Sequence, residues 1–376
     1  MKKSNVILPP QTIGIIGGGQ LGRMMTMAAK TMGYNVAVLD PTENCPTAQV
    51  ADHHIQAKYD DLLAIQQLTK MCDVVTYEFE NVDLHAAAYI EQQGKLPQGA
   101  YALQVTQNRQ QEKQLIQRLQ LPVPHFYIVE NIAQCEEAMK QISFPAVIKT
   151  CRGGYDGKGQ IKLTSLADSQ LAIDFVNKHG HCIVEEWLSF DKEISVVFTR
   201  SQAGQITFFP IAENEHREHI LYKTNAPAII SENVQEKAFE AARILAENMD
   251  VVGTFAIEMF VCGEDIYINE MAPRPHNSGH YTIEACNVSQ FAQHIRAICG
   301  LPLIEVELLQ PAYMVNILGE DLERILHIVP HLSSGFLHLY GKEEPKQKRK
   351  MGHMTFIGQS AEQLQQQLRP LQEAIQ

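Results

Sequence analysis

The sequence has little of what marks a membrane, secreted, zinc-binding or nucleic-acid-coating protein. In 376 residues no apolar run approaches the ~20 that a bilayer-spanning helix needs. The N-terminal stretch through Pro10 has too short an apolar core for a secretory signal. Its eight cysteines are scattered, with no Cys-x-x-Cys pair and no Cys/His zinc spacing, so they read as reduced, mostly buried thiols. The cytoplasm is the expected compartment. Positive charge is the minority: 31 Lys and Arg against 43 Asp and Glu leave a net −12, which argues against a nucleic-acid scaffold. The Gly-Lys-Ser/Thr of a P-loop is missing as well. The length suggests two or three domains.

The most informative stretch runs from Phe144 to Gly159. An apolar run ends on Lys149 and passes into a loop holding Gly153, Gly154, Gly157 and Gly159. Glycine lets backbone N–H groups turn inward at positive φ, so such a loop can wrap polyphosphate oxygens, with Lys149 and Lys158 as cations. A solvated turn would have a similar composition.

Along the first hundred residues, Ile13–Ile16, Asn35–Leu39 and Asp73–Thr76 read as strands with helices between them, the rhythm of a doubly wound parallel sheet. Arg109 to Leu121 reads as a Gln-rich helix stopped by Pro122 and Pro124. The expected plan is α/β with α+β. An N-terminal Rossmann-like domain covers 1–106, an α+β domain 107–300, and a small β-rich domain 301–376, ending in an amphipathic helix from Ala361. Gly17-Gly-Gly-Gln-Leu-Gly22 satisfies G-x-G-x-x-G, and Asp40 ends the next strand. That pattern fits a nicotinamide enzyme. It fits a phosphorylated substrate equally well, because a glycine-fed helix N-terminus binds any phosphate.

Val251–Val261 and Ile266–Ala272 flank the turn Cys262-Gly-Glu-Asp265. A hairpin centred on residue 264 sets Glu258 opposite Glu270, with Cβ atoms roughly 5 Å apart. Two such carboxylates repel and are costly to desolvate unless a cation joins them, and hard oxygen ligands beside phosphates point to Mg²⁺. A further strand, His181–Leu188, ends in Glu185-Glu186 beside the single tryptophan, Trp187. Backbone groups there could read an adenine edge, and Glu193 could hold a ribose hydroxyl.

Lys149, the Gly-rich loop, the Glu-Glu-Trp-Leu strand end and Glu258/Asn269-Glu270 come in the order found in the ATP-grasp superfamily. Three more segments resemble its N5-carboxyaminoimidazole ribonucleotide synthetase family. They are Gly17 through Met24, Tyr77-Glu-Phe-Glu80, and Pro273-Arg-Pro-His276-Asn-Ser-Gly-His280. The resemblance runs from about Ile13 to His353. It implies a pre-ATP-grasp domain, an ATP-grasp domain and a small C-terminal β domain, often assembled as a homodimer. The implied reaction uses Mg·ATP and bicarbonate to carboxylate the 5-amino group of aminoimidazole ribonucleotide through carboxyphosphate.

The resemblance also implies roles. Arg109 and Lys149 contact ATP phosphates, and Gly154, Tyr155, Asp156, Gly157, Lys158, Gly159 and Gln160 form the lid. Glu185, Glu186, Trp187 and Leu188 take adenine, Glu193 the ribose, and His216 and Asn269 further nucleotide contacts. Glu258 and Glu270 bind Mg²⁺. Arg274 suits bicarbonate or carboxyphosphate, and His276 and His280 are candidates for the amine proton. Gln20, Tyr77, Glu78 and Glu80 sit at the aminoimidazole end. Lys342 and Arg349 reach the ribonucleotide phosphate with Arg152 and Tyr155. One departure stands out: Ala272 occupies the position where many ATP-grasp enzymes carry asparagine, with Asn277 nearby. Rival readings are a formate-dependent glycinamide ribonucleotide transformylase, a biotin carboxylase, a nicotinamide oxidoreductase and a non-catalytic nucleotide-binding regulator.

Overall fold

The structure, a computed structural model, describes residues 6–153 and 159–375. Its first unit is a four-stranded parallel sheet in the order His53–Ile55, Asn35–Leu39, Thr12–Ile16, Val74–Tyr77. Four of the five residues in each of the strands Thr12–Ile16 and Asn35–Leu39 are buried, as expected of strands covered on both faces. Helix Gln20–Thr31 packs on one side and helices Leu62–Met71 and Leu84–Gln92 on the other.

The central region holds two sheets. A small antiparallel sheet runs Phe126–Val129, Cys182–Glu186, Ala146–Thr150, Gln160–Leu163. A nine-stranded antiparallel sheet starts with the hairpin Asp265–Ala272/Gly253–Cys262 and continues through Lys192–Arg200, Ala212–Arg217 and Ile220–Ala226. Strand Ala312–Leu318 then pairs with Ile220–Ala226, so the C-terminal strands extend the central sheet rather than standing apart. Helix Glu232–Asn248 covers this sheet with a face of Val234, Ala238, Ala241, Ala242, Leu245 and Ala246. The small alanines let the helix lie close to the strands. Ser231 starts it by accepting the Val234 N–H, which satisfies one of the donors a helix end leaves open.

The two sheets and the parallel-sheet unit face one another across a cleft. The C-terminal ends of strands Thr12–Ile16 and Val74–Tyr77 open into it, where ligands of open α/β sheets bind. No helix among the described residues is long and apolar enough to cross a membrane. All eight cysteines are free thiols, and all but Cys262 are buried.

Candidate active site

The cleft encloses a cavity of about 1100 Å³. Gln20, Glu78 and Glu80 line it from the parallel-sheet unit. Lys149, Glu185, Glu186, Trp187 and Leu188 line it from the small sheet, and Glu258, Asn269 and Glu270 from the hairpin.

The hairpin sets Glu258 opposite Glu270, and it does so through a bulge. Cys262 pairs with Asp265 across the turn, and Met259 pairs with Ile268. A regular ladder would therefore put Glu258 opposite Asn269. The bulge makes Asn269 the extra residue, so that Asn269 and Glu270 both reach the cavity although they are neighbours in sequence. Burial and the Glu270 charge push the Glu258 carboxyl up to about 7. Around the pair, Arg109 Nη1 stands 3.4 Å from Glu270 and His276 Nε2 stands 3.4 Å from Glu258.

This pair fits a hard divalent cation whose remaining ligands are phosphate oxygens and water. Among the described residues no three His, Cys, Asp or Glu side chains gather into a self-sufficient metal cluster. Asn277 lines the same wall. Both of its amide heteroatoms are buried without a hydrogen-bond partner, which points to a polar ligand there.

The phosphate-end cations come from a helix and a strand, Arg109 from helix Arg109–Arg118 and Lys149 from Ala146–Thr150. Asn108 caps helix Arg109–Arg118 by accepting the Gln110 and Gln111 N–H groups, which aims its first turn at the cavity. Arg109, Glu112 and Lys113 share a face at i, i+3 and i+4. Glu112 accepts the Met271 N–H at 2.7 Å. Lys113 donates to the carbonyls of Ile268 and Asn269 at 3.3 and 2.8 Å. Burial pulls the Lys113 pKa down while Glu185 pushes it back. Lys149 Nζ lies 2.5 Å from Glu185 Oε2, and Lys113 Nζ lies 3.6 Å from Oε1. Burial opposes ionisation of Glu185, but Lys113 and then Lys149 outweigh it and hold the carboxyl at about 2.

The other sequence-assigned residues divide into those on the wall and those behind it. Glu193 pairs with His216, where burial lowers the imidazole pKa but the hydrogen bond to Glu193 raises it further. The N–H groups of Glu186 and Trp187 are bound to the carbonyls of His125 and Pro145, so those two donors do not face a ligand. Arg274 Nε donates to Glu80 at 2.7 Å. His276 Nδ1 accepts the Ser278 N–H, which leaves the ring proton on Nε2, facing Glu258. Burial and then the Arg274 charge keep this imidazole neutral. Arg152 and Gln160 reach the wall.

His280 does not. It is wholly buried behind the wall, its ring centroid 4.7 Å from that of His353 and tilted to it, and it cannot touch a substrate there. Tyr77 is likewise fully buried at the end of its strand. Lys342 donates to the Lys350 carbonyl and Arg349 to the Glu344 carbonyl, and Lys350 takes the place on the wall instead. Gly159 starts the return of the loop, its carbonyl accepting the Thr150 N–H. The lid positions Gly154, Tyr155, Asp156, Gly157 and Lys158 lie outside the described residues. Glu112 and Lys113 are the residues that motif reading missed, and the i, i+3, i+4 charges on an otherwise Gln-rich helix were the available signal for them.

The N-terminal glycine motif has the expected strand–turn–helix geometry but no room for a phosphate. Gly18 N–H donates to Asp40 at 2.7 Å and Gly22 N–H to Glu78 at 2.8 Å, and Gly19 N–H also donates to Glu78. The protein's own carboxylates fill the helix N-terminus, so neither a dinucleotide pyrophosphate nor a substrate phosphate sits there as the motif alone suggested.

A cleft between a small antiparallel sheet and a larger one, with lysine and arginine facing a carboxylate pair, defines the class as an ATP-grasp ligase. The ATP-grasp domain model matches residues 114–291, the ribonucleotide synthetase preATP-grasp domain model 10–107, and the phosphoribosylaminoimidazole carboxylase C-terminal domain model 312–367. The chain is 46% identical over 364 residues to N5-carboxyaminoimidazole ribonucleotide synthase of Bacillus subtilis, covering 96% of each chain. An ADP complex of the Staphylococcus aureus synthetase superposes with TM-score 0.94 at 42% identity, covering 99% of this chain and 98% of that one. The Aspergillus clavatus synthase, in complex with ADP and 5-aminoimidazole ribonucleotide, gives 0.89 at 30% identity, covering 97% and 98%. The chain belongs to the N5-carboxyaminoimidazole ribonucleotide synthetase family.

Proposed function

We propose that this protein carboxylates the 5-amino group of 5-aminoimidazole ribonucleotide at the expense of ATP, in purine biosynthesis, with bicarbonate as the carbon source. One observation carries the reading. A single cavity joins cations suited to phosphates (Arg109, Lys149) and a repelling carboxylate pair (Glu258, Glu270) to an arginine end, Arg274 with His276. A bicarbonate oxygen attacks the γ-phosphorus and ADP leaves. The amine nitrogen then takes the carboxyl carbon, directly or as CO₂, and inorganic phosphate and one proton leave.

Arg109 and Lys149 hold the phosphates through the first step. Arg274 is fixed by Glu80 and keeps a planar cation for bicarbonate or carboxyphosphate. A Mg²⁺ held by Glu258 and Glu270 would supply charge neutralisation at the transferring phosphoryl group. His276 reaches the cavity wall where buried His280 does not, but its Nε2 already carries the ring proton, so it serves there as a hydrogen-bond donor and the amine proton goes to the departing phosphate. Carboxyphosphate decomposes quickly in water, so the reaction requires the cleft to be shielded from solvent during turnover. Lys342 and Arg349 would serve the ribonucleotide phosphate only after turning inward. A cytoplasmic homodimer is the assembly we expect.

Carbon-13 NMR with labelled bicarbonate tests the reaction. A carbamate carbon should appear only when ATP and aminoimidazole ribonucleotide are both present. A carbamate formed equally without ATP would contradict the reading. Glycinamide ribonucleotide with formate should consume no ATP, which separates the transformylase.

A further inference from the structure

Glu185 is a deeply buried anion facing the phosphate cations, and two lysines share it unequally. Lys149 Nζ is in hydrogen-bond contact with Oε2, whereas Oε1 has no hydrogen-bond partner and stands 3.6 Å from Lys113 Nζ. Lys149 lies on strand Ala146–Thr150 at the cavity wall. Lys113 is fully buried, and its ammonium is fixed to the Ile268 and Asn269 carbonyls of the hairpin that carries Glu270. The arrangement therefore spans both sheets: Glu185 belongs to the small one, the two carbonyls to the large one, and Lys113 joins them.

We propose that Lys113 is a positioning residue that lets Lys149 change partners, remaining as the fixed counter-ion of Glu185 while Lys149 moves onto the nucleotide phosphates. A buried carboxylate stripped of its only cation costs several kcal/mol, so without Lys113 the departure of Lys149 is opposed. With Lys113 in place, the second oxygen of Glu185 already has a cation one short movement away. The same ammonium keeps the hairpin strand in register with the small sheet while the hand-over occurs. This inference rests on the nucleotide reading of the cavity.

The test is calorimetric binding of Mg·ADP to wild type, Lys113→Met, Glu185→Gln and the double variant, each measured well below its melting temperature. Lys113→Met should raise the Kd at least about tenfold, corresponding to ~1.4 kcal/mol. The same change made in the Glu185→Gln background should alter Kd less than threefold, because no buried anion is left to strand. A lowered melting temperature with unchanged Kd would make Lys113 merely structural and overturn the proposal. An equal Kd effect in both backgrounds would overturn it too. Should the single variant fail to fold, Lys113→Arg replaces it, with a Kd within threefold of wild type expected and a tenfold loss contradicting the charge role. Wild type failing to bind Mg·ADP would sink the nucleotide reading itself, an outcome separate from any difference among variants.

Discussion

Two pairs of carboxylates meet in this molecule, and their surroundings are opposite. Asp40 and Glu78 gather at the N-terminal glycine turn. Asp40 accepts from Gly18 N–H, Thr42 N–H and the Tyr59 hydroxyl, and Glu78 from Gly19 and Gly22. Glu258 and Glu270 face each other on the hairpin, where His276 stands 3.4 Å from Glu258, Arg109 stands 3.4 Å from Glu270, and the Glu258 carboxyl is pushed up to about 7. The first pair accepts backbone N–H groups and the Tyr59 hydroxyl and holds a turn together, although burial still pushes the Glu78 carboxyl up. The second is left in mutual repulsion, and that unspent charge is what a phosphate-bound cation would relieve. A motif that binds phosphate in other folds is thus occupied by carboxylates here, while the hairpin pair, with no three-ligand metal cluster among the described residues, is the site proposed for the cation.

Removing one member of each pair should separate these roles. Glu270→Ala is expected to lower ATP turnover by about 10³-fold, equivalent to roughly 4 kcal/mol of barrier. Its circular dichroism should stay unchanged, and near-normal turnover would remove the metal assignment. Asp40→Ala should instead cost about 2–3 kcal/mol of stability, since it leaves buried donors unpaired. Calorimetric melting should then drop by about 3–4 °C, with the KM for ATP within about twofold of wild type. A stable protein with a much weaker ATP site would invert the comparison.

A pH series sharpens it further. The folded Glu258 carboxyl titrates above its ordinary value of 4.5, so between about pH 4.5 and 7 the native state binds more protons than the unfolded chain. Its contribution to stability is complete at the acid end of that window and fades as the pH rises through it. Denaturant titrations of the nucleotide-free protein should show this decline, and Glu258→Gln should flatten it. Saturating Mg·ADP should also flatten it and release protons at pH 6.5. Identical slopes in Glu258→Gln and wild type would mean that the carboxylate is already satisfied.

How much of this was legible in the sequence depended on whether the signal was local. The βαβ rhythm, the final helix and the Glu258–Glu270 pairing could all be read from spacing. The turn Cys262–Asp265 and the Glu258–Glu270 partnership were both expected, but a regular hairpin centred on residue 264 was assumed, whereas the observed ladder is shifted by one and a bulge at Asn269 restores the pairing. The saturation of Gly17–Gly22 by Glu78 was hidden, because the partner comes from a different strand about 60 residues on. The burial of His280 was hidden for the same reason, since His353 and Tyr340 beside it belong to the C-terminal segment. Lys113 looked like one more charge on a polar helix until the two sheets closed around it.

The most direct test of the whole account is ADP release from Mg·ATP and bicarbonate, measured with and without aminoimidazole ribonucleotide. Strong stimulation by the ribonucleotide is the predicted result, because amine capture would draw the phosphorylated bicarbonate forward. Nucleotide binding without any stimulation would contradict the assigned acceptor and leave an ATP-grasp site serving another amine.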